Sequence, residues 1–514
     1  MAAFAWRVGA VRWILSDVPG LHPGSGPLLQ LSGLRSEPDR LRPAPAAPRG
    51  EPLHHPGGLR SLQGGVCGAA CDPGGDRRRQ RRGVCRPRAP ARGGHRRASR
   101  PRPDPGRRGA GPSSLAEGLE RQSDRAGPGA FREVLNRIYL DDAGAAPVLP
   151  EAAAARKGSP WANPSSPHQF GQAARTALDS ARDRVAVALG VGSAELAFCA
   201  SGTEAVNLAL LGAGRRLPEG RALVTWAGEH QAVLGAAREL QLEGVPVVIL
   251  PTDRFGLADL SLVPAEAGLI SLGLANNELG TVQPVAEVAA LAQERGALLH
   301  LDCCQGPRWL RPPLELVDLA SFSGAKLGAG PGGLLYGRQE VRLQPLVYGG
   351  PQEWGRRAGR EDVGSALAMA AALGVCAAHR EEEAERVALL SDRLLVALND
   401  AGGELTGGEP RLPNYATAVF SQRRGEDLLL ALDAAGIAAS SGSACASGSL
   451  DPSHVLLAAG YTLEAALGSL RLTAGYDTTA AEVECAVETL RRVLRRQSIR
   501  PLAQTVLSQP RSSN

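Results

Sequence analysis

From residue 195 to residue 326 the chain repeats one unit: a short apolar run, a few polar residues, then a stretch with helical periodicity. The apolar runs lie at 195–200, 222–226, 246–250, 269–274, 297–302 and 319–323, all of strand length. Between them run helical patterns, as at 284–295, where Val285, Val288, Ala289 and Ala292 share one face. Strand–helix alternation predicts a mostly parallel sheet covered by helices on both faces. Ligands in such sheets collect beyond the carboxyl ends of the strands. Those ends carry the polar residues here: Ser201-Gly202-Thr203, Glu229-His230, Asn276-Asn277-Glu278, Asp302 and Ser323-Gly324-Ala325-Lys326. After about residue 380 the pattern changes to longer amphipathic helices with a few short strands, which predicts a second, smaller α/β unit. Its clearest helix starts at a capping box of Thr479 and Glu482, ahead of Val483, Ala486, Val487, Leu490, Val493 and Leu494.

The 514 residues are chemically two pieces. Residues 1–133 hold 24 Arg, no Lys and 11 acidic residues, a net of +13, whereas 134–514 hold 33 basic and 41 acidic residues, a net of −8. The overall +5 describes neither piece and gives no ground for a nucleic-acid binder. With 22 Gly and 17 Pro, the first piece buries too little apolar area to offset the entropy of ordering it, and is expected to be disordered. The run Arg77, Arg78, Arg79, Gln80, Arg81, Arg82 could hold a phosphate backbone, but reads first as part of a solvated leader. The stretch is neither Ser-rich nor amphipathic enough for a transit peptide. Its composition and the abrupt start of the compact pattern at Val134 point to an upstream extension from a misplaced start. No apolar run approaches the roughly 20 residues that cross a bilayer, and the expected setting is cytoplasmic.

Lys157 and Lys326 are the two lysines in the whole chain. A lysine kept where arginine serves everywhere else for charge points to a need for a deprotonatable amine. Lys326 follows an apolar run and precedes a glycine-rich turn, the setting of a Schiff-base lysine at a strand end. Asp302 ends another apolar run and needs a partner, which the ring nitrogen of a pyridoxal coenzyme supplies; alone, it reads equally as a cap at a strand-to-helix turn. His230 could stack on such a ring or be structural, and Ser201-Gly202-Thr203 opens a helical pattern whose amides favour phosphate. Nine scattered cysteines do not read as a disulfide framework, and no CxxC pair or zinc spacing occurs, so no metal site is expected. Cys445 stands apart, flanked by Ser441-Gly442-Ser443-Ala444 and Ala446-Ser447-Gly448-Ser449, a solvated loop composition that favours a reactive role. Cys303 and Cys304 read as small core residues beside the site.

Together these segments resemble the pyridoxal-phosphate-dependent cysteine desulfurases, the NifS/IscS-type branch of the class V aminotransferase family. The likeness runs from about Ile138 to Leu494 through Tyr139-Leu140-Asp141, Asn163-Pro164-Ser165-Ser166-Pro167-His168, Thr203-Glu204-Ala205-Val206-Asn207, Glu229-His230, Asn276-Asn277-Glu278-Leu279-Gly280, His300-Leu301-Asp302, Ser323-Gly324-Ala325-Lys326, Gly349-Gly350 and the Cys445 loop. It implies the type I pyridoxal-phosphate transferase fold, with a large domain around a mostly parallel seven-stranded sheet and a smaller C-terminal α/β domain. The division expected is a 1–133 extension, a 134–149 segment packing with the small domain, a 150–380 coenzyme-binding domain, a 381–500 domain carrying the cysteine loop, and a 501–514 tail.

The resemblance also assigns roles. Lys326 is the Schiff-base lysine and Cys445 the persulfide-forming nucleophile. His230 stacks on the ring, Asp302 pairs with its nitrogen, and Gln305 meets its phenolic oxygen. Gly202, Thr203 and Ser323 hold the phosphate, while Asn277 and Arg471 hold the substrate carboxylate. Two positions depart from the family: Ala325 stands where a histidine is usual, and Arg360 where a threonine reaches the partner subunit's phosphate. A guanidinium from across a homodimer would compensate for the lost histidine. The implied reaction takes L-cysteine to L-alanine and passes sulfur to an iron–sulfur scaffold or a tRNA-thiolation protein; a selenocysteine lyase, or another class V lyase or aminotransferase, is the alternative on the same fold.

Overall fold

The computed structural model describes residues 137–442 and 452–497. The 1–133 extension, Val134, Cys445 and the 501–514 tail lie outside the described residues.

The chain enters through β1 (Ile138–Tyr139), and then builds a central sheet from β2 (Leu196–Cys199), β3 (Ala222–Trp226), β4 (Val247–Leu250), β5 (Ala267–Gly273), β6 (Leu298–Asp302), β7 (Leu319–Ser323) and β8 (Gly333–Gly337). Their order in the sheet is β2-β8-β7-β6-β5-β3-β4. All neighbours are parallel except β8, which runs against both β2 and β7. The six expected strands are present within one or two residues at each end. β8 is the strand that sequence reading passed over, because Gly328, Gly330, Gly332 and Gly333 mark its approach as a turn. Every residue of β3, β5 and β8 is buried, as expected of strands covered on both faces.

The covering helices divide by face. One apolar cluster joins the sheet to α1 (Pro150–Lys157), α2 (Gln169–Leu189) and, further along the chain, the long helix over Val363–Asp400. The other joins it to α3 (Gly202–Gly214) and α4 (Gln231–Leu242). Next in the chain come α5 (Val285–Arg295) and the single turn α6 (Gly324–Leu327), which makes the long helix α7 (Val363–Asp400). Glycine in the left-handed region ends α2 at Gly190 (φ 72°) and α5 at Gly296 (φ 59°). By length and composition alone α7 would cross a membrane, but its first half, from Val363 to Cys376, is packed into the central core.

A second, antiparallel sheet of three strands pairs β9 (Glu404–Leu405) and β12 (Ser469–Thr473) on either side of β10 (Tyr415–Val419). The short strand β11 (Ile437–Ala438) pairs in parallel with β1, so the start of the described chain is tied to this half of the fold. The helix at Ala480–Gln497 opens on the expected capping box: Thr479 N donates to Glu482 Oε2 over 2.8 Å, and Glu482 N to Thr479 Oγ1 over 3.2 Å. The change of pattern near residue 380 is not a break in structure, because α7 runs straight through it.

Candidate active site

The strand ends converge on a cavity of about 430 Å³. Nine of the eleven residues given site roles from the sequence line it: Gly202, Thr203, His230, Asn277, Asp302, Gln305, Ser323, Lys326 and Arg471. Arg360 is exposed and does not line it, and Cys445 lies outside the described residues. Gly442, three positions before Cys445, is part of the wall.

Lys326 reaches the cavity because β7 ends at Ser323 and a single helical turn follows at once, closed by Gly328 at φ 76°. The turn has to be glycine-rich: a Cβ at Gly324 would come 2.8 Å from the main-chain oxygen of Gly330. Lys326 Nζ donates to the main-chain oxygen of Gly144, part of the segment that follows β1. That segment is fixed from below. Gln305 Nε2 donates to Ala143 O over 2.9 Å, and Asp142 forms a fully buried ion pair with Arg308 at 2.7 Å. The Arg308 guanidinium in turn lies 4.0 Å over the ring of Tyr476.

Asp302 stands at the end of β6 with its Oδ1 accepting from the Cys304 amide and from Ser321 Oγ, both over 3.0 Å. Behind it, Ser321 Oγ meets His300 Nε2 at 3.2 Å, and His300 Nδ1 meets Ser271 Oγ at 2.9 Å. Since Ser321 gives its proton to Asp302, it accepts from His300 Nε2, and His300 Nδ1 accepts from Ser271. Burial pushes the His300 pKa down to about 4, which keeps the ring neutral and this direction of donation intact. The period-2 alternation of β5, β6 and β7 places these three residues side by side, a relation that no local motif announces.

Glu229 was legible only as a neighbour of His230, yet it is entirely buried at the cavity wall. Its Oε1 accepts from Trp226 Nε1 over 2.6 Å and from Gly273 N over 2.7 Å. Burial, reinforced by the charge of Asp302, lifts its pKa to about 8, so it is a neutral acid at pH 7. His230 caps α4, its Nδ1 accepting from Ala232 N over 3.0 Å, which leaves the ring proton on Nε2. Arg471 is buried and already paired: one terminal nitrogen donates to Asp141 Oδ1 over 2.8 Å, the other to Asn277 O over 2.7 Å. Its Nε has no hydrogen-bond partner. Cys303 is core, as expected, but Cys304 lines the cavity, and burial followed by the Asp302 charge lifts its thiol well above the ordinary range.

The donor set fits pyridoxal phosphate. The first turn of α3, where amides have no carbonyl of their own helix to bind, meets Ser323 at one end of the cavity. Gly202 leaves this cradle open, since a Cβ there would lie 2.7 Å from Cys304 Sγ and 2.8 Å from Ser323 Cβ. An amine (Lys326), a carboxylate (Asp302) and a phosphate-binding helix terminus in one cavity match an aldehyde, a ring nitrogen and a phosphate on one small molecule.

Comparison with known proteins gives the family and the fold. Residues 138–485 match the family described as aminotransferase class-V. A cysteine desulfurase IscS of Dictyoglomus turgidum is 35% identical over 382 residues, covering 71% of this chain and 97% of that protein. A cysteine desulfurase of Gluconacetobacter diazotrophicus is 40% identical over 374 residues, covering 69% of this chain and 93% of that one. A solved NifS-like protein superposes with a TM-score of 0.65 at 30% identity, covering 70% of this chain and 99% of its own. The chain belongs to the class V aminotransferase family, on its branch of pyridoxal-phosphate-dependent cysteine desulfurases.

Proposed function

We propose that this chain converts L-cysteine to L-alanine, holds the released sulfur as a persulfide on Cys445 and passes it to an acceptor protein. The observation that carries the reading is the presence of Lys326, Asp302, Arg471 and Gly442 on one cavity wall. Pyridoxal phosphate, when bound, supplies the electron sink that makes the substrate Cα–H acidic. Lys326 Nζ would hold the coenzyme through its aldehyde, and its amine would serve as the base for the substrate Cα proton. Asp302, held by Ser321 and the Cys304 amide, keeps the ring nitrogen protonated. His230 would cover the ring, Gln305 would meet its phenolic oxygen, and Gly202, Thr203 and Ser323 would hold the phosphate. Arg471 and Asn277 take the substrate carboxylate, which competes with Asp141 for the guanidinium.

The sequence supports Cys445 as the sulfur acceptor, because it comes three residues after Gly442, which lines the cavity. Cys304 lines the cavity but is unsuited: burial and the Asp302 charge raise its thiol well above the ordinary range, and the thiolate is the nucleophile. On this reading the protein is a cytoplasmic homodimer in which Arg360 reaches the partner's phosphate and makes up for Ala325. Residues 150–380 bind coenzyme and 381–500 carry the sulfur-accepting cysteine, with α7 running through the boundary. The acceptor is an iron–sulfur scaffold or a tRNA-thiolation protein.

The test is to add L-cysteine to coenzyme-loaded protein and assay alanine and sulfide. The wild type should release both with a thiol reductant present. Cys445→Ala should release neither while keeping the coenzyme's absorbance band. Alanine release undiminished in Cys445→Ala would refute the assignment, and turnover of selenocysteine alone would place the chain among the lyases instead.

A further inference from the structure

Two strand-end loops of the cavity are joined by a short helix to which the reaction above gives no task. Asn276, in the turn after β5, donates from Nδ2 to Gly228 O in the loop after β3, over 2.8 Å. The helix at His454–Ala458 meets both loops with two adjacent side chains. Ser453, its cap residue, donates its hydroxyl to Glu278 Oε2 on the β5 side. His454, its first residue, reaches the β3 side: Nε2 lies 2.8 Å from Glu229 O, and Nδ1 lies 3.2 Å from Gln231 Nε2. A carbonyl oxygen only accepts, so Nε2 carries the ring proton, and Nδ1 is then the acceptor for the Gln231 amide. One tautomer of His454 thus satisfies both bonds.

Glu229 and Gln231 are the residues on either side of His230, which lines the cavity. His454 therefore holds the main chain before His230 and the side chain after it, while Ala232 N donates to His230 Nδ1 from within α4 over 3.0 Å. We propose that His454 is a positioning residue for His230: its two hydrogen bonds set the direction from which the His230 ring meets the coenzyme. The proposal rests on the reading of His230 as the side chain that would cover the coenzyme's ring. His454 itself does not line the cavity and acts on this account only through His230. With the ring already aimed, less side-chain entropy is lost when the coenzyme binds.

The experiment titrates the full-length apoprotein with pyridoxal phosphate and reads the Kd from absorbance. His454→Ala loses both bonds and should raise the Kd about fivefold. His454→Gln, whose amide can donate to Glu229 O in place of Nε2, should recover most of the affinity. His230→Asn removes the ring but keeps an acceptor for Ala232 N, and should raise the Kd about tenfold. In that background His454→Ala should cause no further loss, because the side chain it positions is gone. Should His454→Ala not fold, Gln231→Ala decides, since Gln231 is exposed on α4. Its Kd should rise about threefold, and again not in the His230→Asn background. A wild-type Kd in His454→Ala or Gln231→Ala, a His454→Gln as weak as His454→Ala, or a loss that persists in full beside His230→Asn would overturn the proposal. Failure of the parent reading is seen separately, as a wild-type Kd in His230→Asn, and the proposal falls with it.

Discussion

Ser321 Oγ donates to Asp302 Oδ1 over 3.0 Å across two neighbouring parallel strands, and the same hydroxyl receives from His300. The Asp302 carboxylate, to which the proposed function gives the coenzyme's ring nitrogen, is thus held from behind by a directed chain from Ser271 through His300 and Ser321. Each member is buried, so none of these bonds competes with bulk water.

Breaking the chain at Ser321 should be felt at the coenzyme. Ser321→Ala leaves Asp302 the Cys304 amide but removes its second donor to Oδ1. Loss of a hydrogen bond to a charged group of this kind costs about 1 kcal/mol or more, a rise in coenzyme Kd of roughly fivefold. Titration of the apoprotein with pyridoxal phosphate, followed by absorbance, measures it; an unchanged Kd would show that the Cys304 amide alone fixes the carboxylate.

Glu229 predicts a pH dependence with a definite sign. Burial, then the Asp302 charge, raises its pKa from 4.5 to about 8 in the folded chain. A group raised on folding contributes stability that is full below its unfolded pKa and is lost as pH climbs to the folded value. Glu229→Gln keeps an acceptor for Trp226 Nε1 and Gly273 N but carries no charge to bury. The Tm of the variant relative to wild type should rise from about pH 4.5 to about pH 8 and then level off. A constant difference across that window would mean that Glu229 is ionised throughout.

Arg360 tests the compensation for Ala325. The side chain is exposed and away from the cavity of its own chain, as required of a group acting on a partner's phosphate. Arg360→Thr should weaken coenzyme retention about tenfold, since charge-assisted bonds to phosphate are worth about 1.5–3 kcal/mol each. Dialysis of loaded protein and loss of coenzyme absorbance give the measurement; retention equal to wild type would sink the compensation.

The strands and the site were legible in the sequence for different reasons. Apolar runs bounded by polar residues gave six of the seven strands of the central sheet, because burial on both faces makes such strands predominantly apolar. β8 escaped because Gly328, Gly330 and Gly332, all with positive φ, make its approach a turn that disguises the strand that follows. Lys326 was visible by rarity, and Asp302 and His230 by their place at strand ends. Glu229, Glu278, His300 and Ser321 were in view as letters but not as participants. Their meaning depends on neighbours: Trp226 and Gly273 for Glu229, Ser453 for Glu278, Asp302 for Ser321.

The sequence by itself determined the strand–helix alternation, the strand-end placement of the polar residues and the family to which they belong. These are set by local periodicity and by residue type, both of which can be read along the chain. Only the tertiary structure decided that Asp141 already occupies the Arg471 guanidinium, that burial raises the Glu229 pKa, and that Ser453 donates to Glu278. Such facts depend on desolvation and on contacts between residues more than a hundred positions apart, and these come into being only when the strands are laid side by side and water is excluded from between them.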